Sequence, residues 1–118
     1  MSDISQFDAK LNEMFLNGRA MEAFEEFYAE DVVMQENSDA PRVGKAVNRQ
    51  AELDFFACVK QFHGAEILST AVSGDVSFCE ITMDITFQND YRMKMAQVAV
   101  RRWKEDKIVN ERFYYSKA

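Results

Sequence analysis

Glu36 has the strongest claim to proton-transfer chemistry in this sequence. In the extended run Asp31-Val32-Val33-Met34-Gln35-Glu36 it falls on the same side as Val32 and Met34, and so would point with them toward an apolar interior. A carboxyl held there resists ionisation, so its pKa climbs from about 4.3 toward neutrality, where a proton-abstracting base works best. The same residue opens the polar stretch Asn37-Ser38-Asp39, and a strand ending at Glu36 would leave it in water. Both placements fit the pattern.

The other reactive side chains read as structural. His63, the one histidine, lies between Phe62 and Gly64, where a helix would stop, and it would face the negative end of that helix. Cys58 and Cys79 stand in apolar patterns with no Cys or His at metal-binding spacing, which predicts two reduced, buried thiols, no metal and no cofactor. Met83, Met93 and Met95 could line an adaptable pocket or simply fill a core. Arg101, Arg102 and Arg112 could receive an anion, but on a sheet face they would pair with Glu80, Glu111 or a partner subunit.

What must position these residues is a single domain, residues 1–118. At 47% hydrophobic and 29% charged residues the composition is globular, and the net charge of −6 with no clustered basic surface argues against nucleic acid as a partner. The N-terminus lacks a basic region followed by an apolar run, and no apolar stretch approaches 18 residues, so neither export nor a membrane span is expected; with the thiols, this predicts a cytoplasmic protein.

Four glycines and one proline punctuate the chain. Ile4, Phe7, Leu11, Met14 and Phe15 recur at helical spacing over residues 4 to 16, with Asp3 and Gln6 as a capping pair, and Met21, Phe24, Phe27 and Tyr28 mark a short second helix. From Ala46 to Phe62 a stripe of Val47, Ala51, Phe55, Cys58 and Phe62 predicts a third helix, the most buried of the three, with Asn48, Arg49, Glu52 and Lys60 on its wet face and Gly64 as its stop.

The period then changes to two. Ile67 to Val72 reads as a strand, Cys79 to Phe87 alternates cleanly, and Asn89-Asp90 turns into Tyr91 to Trp103, pairing Ile85 with Met93, Met83 with Met95 and Asp84 with Lys94. Ile108 to Tyr115 follows as the last strand. Val98 and Val100 fall on the opposite phase from Met93 and Met95, which predicts a bulge near Ala96-Gln97. Apolar surface displaced outward would be covered by a second copy of the chain, giving a homodimer through the outer sheet face.

Helices first, then long bent strands, is an α+β plan: a cone-shaped roll of three N-terminal helices packed into a strongly curved, mostly antiparallel sheet. That order, with Phe27-Tyr28-Ala29-Glu30-Asp31-Val32, Gly44-Lys45-Ala46-Val47 and Arg112-Phe113-Tyr114-Tyr115, resembles the nuclear transport factor 2-like superfamily, in its SnoaL-like and ketosteroid-isomerase-like branch. The resemblance implies a cone pocket for a small apolar molecule, with Phe15, Met34, Phe55, Cys58, Phe62, Met83, Met95 and Tyr115 lining it. It also implies that Glu36, five positions after Asp31, is the general base of an isomerase- or lyase-type proton transfer.

The rest of the steroid-isomerase set is missing. Asn12 stands near the position of its helical tyrosine, and Ala99 or a neighbour replaces its oxyanion-hole aspartate. Each missing donor would cost on the order of 3 kcal/mol of enolate stabilisation, which argues against steroid isomerisation. The alternative reading is a non-catalytic dimeric module whose pocket is filled by its own side chains.

Overall fold

The computed structural model describes residues 3–116. Helix α1 spans Ile4–Leu16, and the Asp3 side chain caps it by accepting from the Gln6 backbone N–H at 3.3 Å. Its buried side carries Ile4, Leu11 and Met14, and with them two polar residues, Asp8 and Asn12. Helix α2, Ala20–Phe27, runs directly into strand β1, Tyr28–Glu36. After the short β2, Arg42–Val43, Gly44 adopts a φ of 102°, which disfavours any side chain, and opens α3, Lys45–Ala57. Four long strands follow: β3 Val59–Ser73, β4 Val76–Phe87, β5 Arg92–Lys104 and β6 Lys107–Tyr115.

The strands form one sheet in the order β2-β1-β6-β5-β4-β3, with β1 parallel to β6 and every other pair antiparallel. This is the α+β roll that the periodicity predicts. Ile85 pairs with Met93, Met83 with Met95 and Asp84 with Lys94, as the matched alternation requires. The inner face of the sheet carries two apolar clusters. One joins α1, α2 and β1 through Leu11, Phe24, Val32, Met34, Trp103 and Ile108; the other gathers Cys79, Ile81, Met83, Ile85 and Ala99.

Several expectations are corrected. The ladder between β4 and β5 is unbroken from Val76–Arg102 to Thr86–Arg92, so no bulge lies at Ala96-Gln97. The register shifts occur instead in β3, in the β1–β6 pairing and at Arg102/Trp103. The phase of β5 changes because Gln97 and Arg101 share the inner face with Met95 and Ala99, which leaves Val98 and Val100 outside. A polar interior, not an extra residue, produced the slipped pattern.

The third helix ends at Ala57, not at Phe62. Val59 already pairs with Phe87, and the Gln88 N–H donates to the Cys58 carbonyl, so the long β3–β4 ladder claims the backbone that helical spacing alone would extend. Gly64 therefore lies within β3, and His63, on the same strand, is exposed with its Nε2 2.7 Å from Thr86 Oγ1, away from any helix end.

Nor is α3 the most buried helix: only Lys45 and Asn48 are buried on it, Phe55 is half-buried and Cys58 is exposed. Its inner side faces a cavity instead of side chains. Asn48, expected on the wet face, is fully buried because its Nδ2 donates to the carbonyls of Val32, Arg42 and Gly44, fastening α3 to β1 and β2.

Candidate functional site

Between α3 and the inner face of the sheet lies a cavity of about 300 Å³. Its walls are largely apolar, with Phe15, Phe55, Phe56, Met83, Met95 and Phe113 among them. A drug-sized ligand needs a space of roughly this volume, so the protein's own side chains do not fill the cone.

The buried end of the cavity is polar. Arg101, from β5, donates through Nε to Glu111 Oε2 and through Nη1 to both Asp8 Oδ1 and Asn12 Oδ1, each at 2.8 Å. Glu111 Oε1 accepts from the Tyr28 hydroxyl at 2.5 Å, and Asp8 Oδ1 also accepts from Ser77 Oγ, to which the Trp103 indole N–H donates. Helix α1 and four strands thus meet in one network, and among the described residues no buried side-chain polar atom lacks a partner. Burial works against the Arg101 charge, but Glu111, Tyr28 and Asp8 more than offset it and hold the guanidinium firmly protonated. Burial and the neighbouring Glu111 push the Tyr28 hydroxyl well above its ordinary range.

The more open end holds Glu36, which lies on the inner face of β1 with Val32 and Met34 and lines the cavity. Its Oε2 accepts from Arg42 Nη2 at 3.1 Å, and its Oε1 lies 3.4 Å from the Tyr115 hydroxyl. Arg42 is itself oriented by Asn48, whose Oδ1 accepts from Arg42 Nε. Nothing in the sequence pattern indicated this ion pair.

Glu52, on α3, is the residue that sequence reasoning misplaced. It faces the cavity rather than solvent, and makes no hydrogen bond or ion pair among the described residues. Burial, reinforced by the charges of Glu111 and Glu36 and opposed by Arg42, pushes its carboxyl up to about 7. The one available signal was its place one residue after Ala51 and three before Phe55 on the apolar stripe. A charged residue there reads as the edge of a wet face unless the face covers a cavity.

Of the residues assigned to the pocket, Phe15, Phe55, Met83, Met95 and Tyr115 line this cavity with Glu36. Met34 does not; it is 1% exposed and packed in the cluster between the helices and β1. Cys58 lies beyond the end of α3 and is exposed, which also corrects the expectation of two buried thiols; both cysteines are free, and only Cys79 is buried. Phe62 lies on β3, opposite Ile85, and packs edge-on against Phe15 beside a second, outer groove. Among the described residues no three His, Cys, Asp or Glu side chains converge in a way that would hold a metal ion, and no helix is long and apolar enough to cross a membrane.

A SnoaL-like domain family matches residues 3–115. Among solved structures, a protein provisionally named a SnoaL-like polyketide cyclase, from Mesorhizobium loti, superposes with a TM-score of 0.85 at 25% identity, over 97% of this chain and 100% of that one. An NTF2-like protein of unknown function from Burkholderia pseudomallei K96243 gives 0.83 at 15% identity, over 98% and 92%. AclR from Streptomyces galilaeus, provisionally a hydroxylase, gives 0.78 at 13% identity, over 95% and 87%. A search of the curated proteins finds no match. One fold carrying such different names does not identify a reaction, and the site must be argued from its own residues.

Proposed function

The chain belongs to the SnoaL-like domain family, and from that premise we propose that its cone binds a small, largely apolar molecule and that Glu52 carries a proton to or from it. The observation that carries this reading is a carboxyl that faces an apolar cavity of about 300 Å³ with no hydrogen bond or ion pair among the described residues, a setting in which burial pushes its pKa up to about 7. At neutral pH such a group is divided between its two forms, so it can take a proton from carbon and return it. Glu36 serves less well as the base, since Arg42 occupies one of its oxygens. Its role in this reading is to keep Glu52 basic, as one of the two carboxylates that oppose ionisation there.

The test uses 2-indanone, whose activated methylene protons exchange slowly in D2O and whose size suits the cavity. The protein should accelerate this exchange, and Glu52→Gln should reduce the acceleration by roughly 100-fold or more, in line with the loss of a positioned base. Glu36→Gln should reduce it less. An unchanged rate in Glu52→Gln, or no exchange above buffer, would exclude Glu52 as the base; loss in Glu36→Gln alone would return the role to Glu36.

We also infer that two copies pair through the outer face of β4, β5 and β6. On that face Phe78 stands beside Val100, and Val98 beside Tyr114; Val98 is 36% exposed and Tyr114 44%. Glu80 and Asp84 on β4 and Lys94 and Arg102 on β5 flank this stripe, so a two-fold partner can set acids against bases. Sedimentation should give a species of twice 13.7 kDa, and Val98→Lys should return it to a monomer. A monomer at micromolar concentration of the unaltered chain would refute the pairing.

A further inference from the structure

Arg101 carries a donor that the protein itself does not use. Its side chain is 9% exposed, and Nε and Nη1 are committed to Glu111, Asp8 and Asn12. No acceptor is found for Nη2 among the described residues. Yet among the described residues no buried side-chain nitrogen or oxygen lacks a partner, so Nη2 must be reachable, and the space it can be reached from is the cavity that Arg101 lines. Three acceptors on two other elements hold the guanidinium still, which fixes the direction of the remaining donor in advance.

We propose that Arg101 Nη2 binds the oxygen of an uncharged carbonyl group on the ligand, which makes the substrate class a neutral ketone, aldehyde or ester. This rests on the reading of the cavity as the site of proton transfer. The charge census favours a neutral acceptor over an anion. Asp8 and Glu111 together outweigh Arg101, Glu36 offsets Arg42, and ionised Glu52 adds a further negative charge. A carboxylate entering this space would meet net negative charge, whereas a carbonyl oxygen meets only a donor.

The chemistry closes without any further reactant. Glu52 takes a proton from the carbon next to the carbonyl, the C–H electron pair moves into the new carbon–carbon double bond, and the carbonyl π pair moves onto oxygen. The hydrogen bond from Nη2 then strengthens as charge builds on that oxygen. Because Glu52 loses its own charge in the same step, the total charge of the cavity does not change. Return of the proton to the same or a conjugated carbon gives exchange or isomerisation.

Three probes of one shape test this: 2-indanone, indane and indane-2-carboxylate, titrated into the full chain with nitrogen-15 in its arginines. 2-Indanone should bind roughly tenfold tighter than indane, as a hydrogen bond to a charged donor gives, with the carboxylate weakest. The Arg101 Nη resonances should move with 2-indanone and stay still with indane. Arg101→Lys keeps the charge but lacks the second nitrogen of the fork, and should lose the preference for the ketone. Should that variant not fold, the nitrogen shifts of the unaltered protein decide alone. Glu52→Gln should keep both the ketone preference and the Nη shift while losing proton exchange, so a failure of the base assignment is distinguishable from a failure of the oxygen site. Equal binding of 2-indanone and indane, tightest binding of the carboxylate, or unmoved Nη resonances would overturn the proposal.

Discussion

Replacing Arg101 with Met should remove about 3–5 kcal/mol of stability, read from urea unfolding at pH 7. The loss does not come from apolar contact, since Met retains much of the arginine stem. It comes from Asp8 and Glu111, which are 3% and 1% exposed and would be left buried without their cation. A domain of this size has a total stability of roughly 5–15 kcal/mol, so the variant should be marginal. The triple variant Asp8→Asn, Arg101→Met, Glu111→Gln separates the causes. It discards the whole charge set and should recover most of the loss, because a buried ion network contributes less than the penalty of breaking it. If the triple variant is no more stable than Arg101→Met, packing and not uncompensated charge is what Arg101 supplies.

That network also explains which parts of the molecule the sequence disclosed. The β4–β5 register was legible to the residue because two clean alternations flank a turn, and a slip of one position would have turned Met83 and Ile85 outward. The same rule misled one strand turn later. It assumes apolar residues inside, while Gln97 and Arg101 are polar and inside, and so their inward phase looked like a bulge.

In α3 the failure has the same root. Phe55, Cys58 and Phe62 continue a helical spacing, but the chain has already become β3 at Val59, and Phe62 pairs there with Ile85 while staying 40% exposed. Local period cannot tell a helix from a strand that takes over its apolar stripe. At the site, Glu36 was legible because its phase on β1 is set by Val32 and Met34. Arg42 and Glu52 were not, because each reaches the cavity from an element whose approach only the folded sheet defines; Glu111 was legible as a partner for Arg101 but not as part of the cavity wall.

Glu52→Gln should stabilise the protein above neutral pH by roughly 1–3 kcal/mol and have no effect near pH 4. In the folded chain the Glu52 carboxyl is pushed from 4.5 up to about 7, by burial first and then by Glu111 and Glu36. Below pH 4.5 the group is protonated whether the chain is folded or not, and its stabilising contribution is fully present. As pH rises from 4.5 toward 7, the unfolded chain releases the proton and the folded chain retains it, so stability is lost progressively; above about 7 both states are ionised and the loss is complete. Gln has no such titration. The difference between variant and unaltered protein, followed by thermal or urea unfolding from pH 4 to 9, should therefore open across the window from 4.5 to 7 and then level off. Glu36→Gln supplies the contrast, since it removes a charged acceptor from Arg42 and relieves no unpaired carboxyl. A flat difference for Glu52→Gln across the whole range would mean that its carboxyl is solvated. The cavity would then lack the neutral-pH base on which proton transfer depends.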